Sequence, residues 1–230
     1  MLETRDLTAF YGDFQALFGL NLSVAKGEIV AIIGANGAGK TTTMRAITGL
    51  LPSADNMVSW HGQNIGRMRA DQIAGLGLAM VPEGRQLFSS LNVEENLIIG
   101  GRNGRKGPWS LPRIYELFPV LGERRHQAST SLSGGQQQMV AIGRALMSNP
   151  EVIMFDEISL GLAPIVIKQI YDALPGIISD GLGAIVVEQD ISKALAVADK
   201  VYCLSEGRIA LEGAAKTVTR EEISDAYFGV

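Results

Sequence analysis

The chain has 230 residues, enough to bury a substantial core as one large domain or two small ones. Its 47% hydrophobic and 19% charged content describe an ordered protein, and a formal charge of −4 argues against broad nucleic-acid affinity, which needs clustered Lys and Arg. A single cysteine excludes an intrachain disulfide and fits a reducing compartment.

The opening Met1-Leu2-Glu3-Thr4-Arg5-Asp6 has no signal-peptide core, and no run reaches the roughly 20 apolar residues that span a bilayer. A cytosolic chain is expected; if it works at a membrane, other subunits provide the membrane path. Residues 1–33 predict short strands with turns at Tyr11-Gly12-Asp13 and Lys26-Gly27. The alternation in Leu20-Asn21-Leu22-Ser23-Val24 predicts a half-exposed strand, and the apolar run from Glu28 to Ile33 a buried parallel one.

Gly34-Ala35-Asn36-Gly37-Ala38-Gly39-Lys40-Thr41 follows that strand. Gly at the first and sixth positions, then Lys and Thr, is the spacing of a phosphate-binding loop. Glycines let successive backbone N–H groups curl around an anion, and the following helix, read over 42–50, adds its positive N-terminal end. Lys40 has the reach for the β- and γ-phosphates, and the Thr41 hydroxyl suits Mg²⁺.

Leu76–Val81 predicts a further buried strand stopped by Pro82. From about 84 to 150 helical patterns dominate, interrupted by a Gly/Pro-rich loop over 100–112 whose Arg102-Asn103-Gly104-Arg105-Lys106 cluster reads as solvated. Leu132-Ser133-Gly134-Gly135-Gln136 precedes an amphipathic helix through Leu146. Ser133 caps that helix, and Gly134 and Gly135 leave bare N–H groups at its start: a second anion site, or an ordinary capped helix. Glu151–Glu157 is another apolar run, now ending in two acids. At the carboxyl end of a parallel strand Asp156 would hold Mg²⁺, and Glu157 would polarise an attacking water as general base. Strand and helix then alternate: 152–155, 165–178, 184–187, 192–198 and 201–204, the last burying Cys203. This interleaving predicts a mostly parallel α/β sheet with a helical block inserted in its middle.

Over nearly its whole length the chain resembles the ATP-binding subunits of ABC transporters. Gly34–Thr41 matches their Walker A, Val152–Glu157 their Walker B and Leu132–Gln136 their signature sequence. The resemblance implies a P-loop nucleotide-binding fold with N-terminal antiparallel strands and an inserted helical subdomain. It implies one ATPase domain over 1–230, its core formed by 1–83 and 151–230 and its helical subdomain by 84–150. The expected cofactors are ATP and Mg²⁺. Two such chains would form a head-to-tail homo- or heterodimer, with each ATP between one chain's phosphate loop and the other's Ser133–Gln136. The resemblance adds Thr42 to the nucleotide contacts and stacks Tyr11 on adenine, against the alternative that Tyr11 is a turn aromatic that packs locally. It places Glu83, where most relatives carry Gln, near the metal. Gln189 stands where most carry His; as an amide it can donate to the γ-phosphate but cannot titrate, the alternative being a capping amide. Ile158 replaces a usual Pro, and Ala54-Asp55-Asn56-Met57-Val58 lacks a usual Ser-Gly turn. Leu87 and Phe88 fit either a groove that grips membrane subunits or the small core of the helical block.

Within that family the chain looks most like the second ATPase of branched-chain amino acid uptake systems, on Val81-Pro82-Glu83-Gly84-Arg85, Val93-Glu94-Glu95-Asn96-Leu97, Ser159–Pro164 and Val187-Glu188-Gln189. This implies an ATPase on the cytoplasmic face of the cell membrane, partnered with permease subunits and, indirectly, a periplasmic or extracellular solute-binding protein. Alternatives are a urea or amide importer, a lipopolysaccharide exporter, and, in other classes, a soluble ATP-dependent switch or a small-molecule kinase.

Overall fold

The structure, a computed structural model, describes residues 1–178 and 181–228. The chain begins with β1 (Leu2–Thr4), β2 (Leu7–Tyr11), β3 (Phe14–Leu20), β4 (Ser23–Val24) and β5 (Ile29–Gly34). After α1 (Lys40–Ile47) come β6 (Val58–Trp60), β7 (Gln63–Asn64), α2 (Ala70–Leu76) and β8 (Leu78–Val81). A helical stretch follows: α3 (Val93–Gly100), α4 (Leu111–Leu117), α5 (Pro119–Glu123) and α6 (Gly134–Leu146). The remainder alternates β9 (Val152–Asp156), α7 (Pro164–Ile178), β10 (Gly183–Glu188), α8 (Ile191–Val197), β11 (Lys200–Ser205), β12 (Arg208–Ala214) and α9 (Arg220–Phe228).

The central sheet has the order β12-β11-β5-β10-β9-β8, parallel throughout except at the edge strand β12. A four-stranded antiparallel sheet, β4-β1-β6-β7, and the β2–β3 hairpin lie apart from it. Parallel strands need crossovers, which put helices on both faces, so their residues are buried on either side. Strand β5 obeys the two-residue period. Val30 and Ile32 join one core with Leu17, Met44 and Ile47, whereas Ala31 and Ile33 join another with Ala194, Val201 and Ile223. A third core packs α3–α7 onto Val81, Ile153, Phe155 and Val186. Each such large apolar side chain stabilises the fold by about 1.5–3 kcal/mol on burial. Cys203 lies in the α8–α9 core, where burial pushes its thiol up to about 11, so it packs as a small apolar group.

Several sequence expectations shift. The expected strand over 76–81 starts only at Leu78, because Leu76 ends α2 and Gly77 caps it in the left-handed region (φ +107). The expected helix over 42–50 runs Lys40–Ile47. The strand expected over 20–24 breaks at Asn21, whose side chain accepts from the Asp6 N–H (2.8 Å). The Ala54–Val58 segment enters β6 through a short 3-10 turn over Asp55–Met57. The Arg102–Lys106 cluster is not simply solvated. Arg105 is ion-paired to Glu151 (2.8 Å) and donates to the Asn149 carbonyl (3.1 Å), because its loop folds back across the start of β9. Ile158, the residue in place of Pro, is fully packed in the helical core. Of Leu87 and Phe88, Leu87 packs against that core, while Phe88 is 47% exposed.

Candidate functional site

The sheet order puts β5, β10 and β9 side by side, so their carboxyl ends open on one crevice. The phosphate-loop spacing sits at the end of β5 and leads into α1. Two of its glycines are sterically required. A Cβ at Gly34 would meet the Leu204 carbonyl of β11, and Gly39, at φ +105, caps α1 with Leu17 against its Cα. Lys40 is 4% exposed and arcs back over the loop, donating to the carbonyls of Gly34 (2.8 Å) and Ala35 (3.1 Å). Its Nζ lies 3.5 Å from Glu157 Oε1.

Glu157 follows β9 with φ +49, an unfavourable backbone for a side chain of this size. The conformation is held from three sides. Its N–H donates to the Val187 carbonyl (3.1 Å), Lys40 approaches Oε1, and Gln189 Nε2 donates to Oε2 (2.8 Å). The end of β10 thus delivers Gln189 directly onto the candidate base.

Asp156, the last residue of β9, is 1% exposed and accepts from the Thr41 hydroxyl at 3.2 Å. Burial pushes its carboxyl up to about 6; Thr41 opposes the rise, and the negative charges of Glu157 and Glu83 add to it. A buried carboxylate and a hydroxyl, with two further acids nearby, form the hard oxygen set that suits Mg²⁺. With a folded-state value above that of the free side chain, Asp156 favours folding as the neutral acid. That contribution is complete below about pH 4 and is lost as pH rises through about 6. Asp156→Asn is therefore expected to raise the metal-free melting temperature by about 2–4 °C at pH 7.5, with the gain falling to about half of that at pH 5. Thermal melts at the two pH values check this; an equal or lower melting point at pH 7.5 contradicts it.

A cavity of about 410 Å³ is lined by Asn36, Gly37, Gly39, Lys40, Thr41, Thr42, Glu83, Glu157, Leu160 and Gln189. All of these except Leu160 are residues that the sequence singles out. Leu160 went unremarked as a cavity residue because an exposed apolar side chain in a loop carries no local signature. Tyr11 lines the adjoining cavity of about 520 Å³ with Thr41, Arg45, Glu83, Gln86 and Asp156. Its hydroxyl lies 3.5 Å from Thr42 Oγ1 and accepts from Arg45 (3.4 Å), which anchors the ring beside α1. Ser133–Gln136 does not enter either cavity. Ser133 caps α6 reciprocally with Gln136: Oγ accepts from the Gln136 N–H (3.4 Å), and Gln136 Oε1 accepts from the Ser133 N–H (3.1 Å).

Residues 17–159 match the family model described as ABC transporter. The chain is 42% identical to the high-affinity branched-chain amino acid transport ATP-binding protein BraG of Pseudomonas aeruginosa, over 100% of both chains. It is 32% identical to a probable branched-chain amino acid transport ATP-binding protein, LivF, of Archaeoglobus fulgidus (96% of this chain, 95% of the other). Among solved structures it is similar to a nucleotide-free ATP-binding cassette from an ABC transporter, with TM-score 0.84 and 28% identity over 100% of this chain and 95% of the other. A dimeric post-hydrolysis cassette bound to ADP and Pi superposes with TM-score 0.83 and 25% identity, over 95% of this chain and 100% of the other.

Proposed function

The chain belongs to the ABC transporter family, as an ATPase coupled to transport, and we propose from that premise that it powers the import of branched-chain amino acids. The observation that carries the site reading is the single crevice where Lys40, Thr41, Glu157 and Gln189 converge. The similarity to BraG over the full length of both chains supports the substrate class. We read 1–83 and 151–230 as the nucleotide-binding core and 84–150 as the helical subdomain of one domain. No helix among the described residues is long and apolar enough to cross a membrane, so permease subunits provide the path. The chain sits peripherally on the cytoplasmic face, pairs with a second ATPase chain, and meets a solute-binding protein only through the permease.

In this reading the loop N–H groups and Lys40 bind the phosphates, and Tyr11 stacks on adenine. Thr41 and Asp156 hold Mg²⁺, with Glu83 beside them. Bound there, the metal neutralises phosphate charge. Glu157 accepts the proton of the attacking water, and Gln189 holds Glu157 while its amide donates to a γ-phosphate oxygen. Because Ser133–Gln136 stands outside the crevice, its capped helix start serves the nucleotide of the partner chain. A separate groove between Leu50, Ile73, Phe88 and Arg144 suits an apolar helix of the permease.

Gln189→Ala is expected to slow hydrolysis about tenfold while ATP affinity stays within about twofold, and Gln189→His to remain active. Steady-state ATPase paired with ATP binding checks both; normal turnover in the alanine variant leaves Gln189 only a capping role. Tyr11→Ala should weaken ATP by the roughly 1–3 kcal/mol of a base stack, and unchanged ATP and GTP affinities would make Tyr11 a packing residue. The substrate reading is tested by purifying the membrane complex through a tag on this chain and assaying which solutes stimulate its ATPase. Stimulation by leucine, isoleucine or valine with the cognate binding protein is expected. Stimulation by urea or an amide instead overturns it.

A further inference from the structure

Glu188 is an acid that the phosphate chemistry leaves unused. It closes β10 one residue before Gln189 and is 2% exposed. Among the described residues it forms no ion pair. Instead, hydroxyls from two other elements take its two oxygens. Tyr171 on α7 donates to Oε1 at 2.6 Å, and Ser159, two residues after Glu157, donates to Oε2 at 2.9 Å. Burial and the facing carboxylate push the Tyr171 phenol far above its usual range, so it stays a donor.

A buried carboxylate without a cation is costly, and short hydroxyl-to-carboxylate bonds are the strong kind that offsets the cost. The position of this group gives the arrangement a purpose beyond packing. The Ser159 loop carries Glu157 on strained backbone (φ +49) and Leu160 into the nucleotide cavity. Backbone strain persists only where neighbouring contacts over-determine it. On the other side, Gln189 is the next residue of the same strand end and holds Glu157 Oε2 at 2.8 Å. Glu188 therefore ties down both segments that aim at the γ-phosphate, and Tyr171 ties Glu188 to a helix outside the crevice.

We propose that Glu188 is a positioning residue for ATP hydrolysis: by accepting from Ser159 and Tyr171 it locks the loop after Glu157 against the strand end that carries Gln189. The proposal rests on the roles assigned above to Glu157 and Gln189.

Removing Glu188 itself would strand two buried hydroxyls and risk the fold, so the test removes each donor in turn. ATPase of the assembled complex, ATP affinity and melting temperature are measured for Tyr171→Phe and for Ser159→Ala. Each is expected to lower kcat about tenfold, as a small misplacement of a catalytic group does, with ATP affinity within about twofold. In a Gln189→Ala background the loss from Tyr171→Phe should shrink to about twofold, because a partner it positions is gone. Unchanged kcat in both single variants overturns the proposal. So does an undiminished loss in the Gln189→Ala background, or a loss that falls on ATP affinity and not on kcat. Glu157→Gln in the same assay separates the two readings. An inactive Glu157→Gln beside fully active Tyr171→Phe and Ser159→Ala removes only the latch, whereas an active Glu157→Gln removes the base assignment.

Discussion

Glu157→Gln is expected to lower ATP turnover at least about 100-fold while leaving ATP binding intact. The amide matches the carboxylate in shape and tolerates the same left-handed backbone, so the fold has no reason to change. Its oxygen can still accept from Gln189 Nε2, which now reaches Glu157 Oε2 at 2.8 Å. What it cannot do is take a proton from water. It also removes the negative charge 3.5 Å from Lys40 and the repulsion between that carboxylate and a γ-phosphate. The variant should therefore hold ATP longer and favour an ATP-bound dimer. Phosphate release and nucleotide titration of the same preparation measure the two halves. Turnover within a few-fold of the unaltered chain would end the general-base assignment.

Lys40→Ala acts on the other half of the reaction, with an expected loss of roughly 10²–10³-fold in affinity for Mg-ATP, the size of a lost charge-assisted contact to phosphate. Lys40 is nearly fully buried, and among the described residues its Nζ is the one cation in ion-pair contact with Glu157. Removing it leaves Glu157 without its ion-pair partner beside the acid Asp156, so incoming phosphates meet repulsion where they met an ammonium. Calorimetry with Mg-ATP measures the effect, and an unchanged dissociation constant contradicts it. The two variants should differ in kind: Lys40→Ala loses binding, Glu157→Gln loses chemistry.

Part of this site was legible because its chemistry is written in short range. The loop Gly34–Thr41 needs its glycines, lysine and threonine within eight consecutive positions, and the apolar run before it marks the strand that launches it. Asp156 and Glu157 were readable for the same reason, as acids closing an apolar strand. Helix ends were less legible. Gly77 reads equally well inside a strand run or as a helix cap, and only its left-handed backbone decides between them. Arg105 looked like one member of a solvated basic cluster, because its partner Glu151 lies 46 positions away.

By itself, then, the sequence determined the parallel α/β class, the glycine-rich loop Gly34–Thr41 with its strand and helix, the helical stretch between two sheet segments, and the acids at the end of β9. Each is a pattern of neighbours in the chain, set by residue period, glycine freedom or capping, and each survives without knowing what else lies nearby. The tertiary structure alone decided which of these meet. Placing β10 between β5 and β9 brings Gln189 onto Glu157 and leaves Ser133 outside the crevice. The same placement seats Glu188 between Ser159 and Tyr171. Strand order is set by how three cores fill on the two faces of one sheet, a sum over contacts distant in the chain, and no local pattern carries that sum.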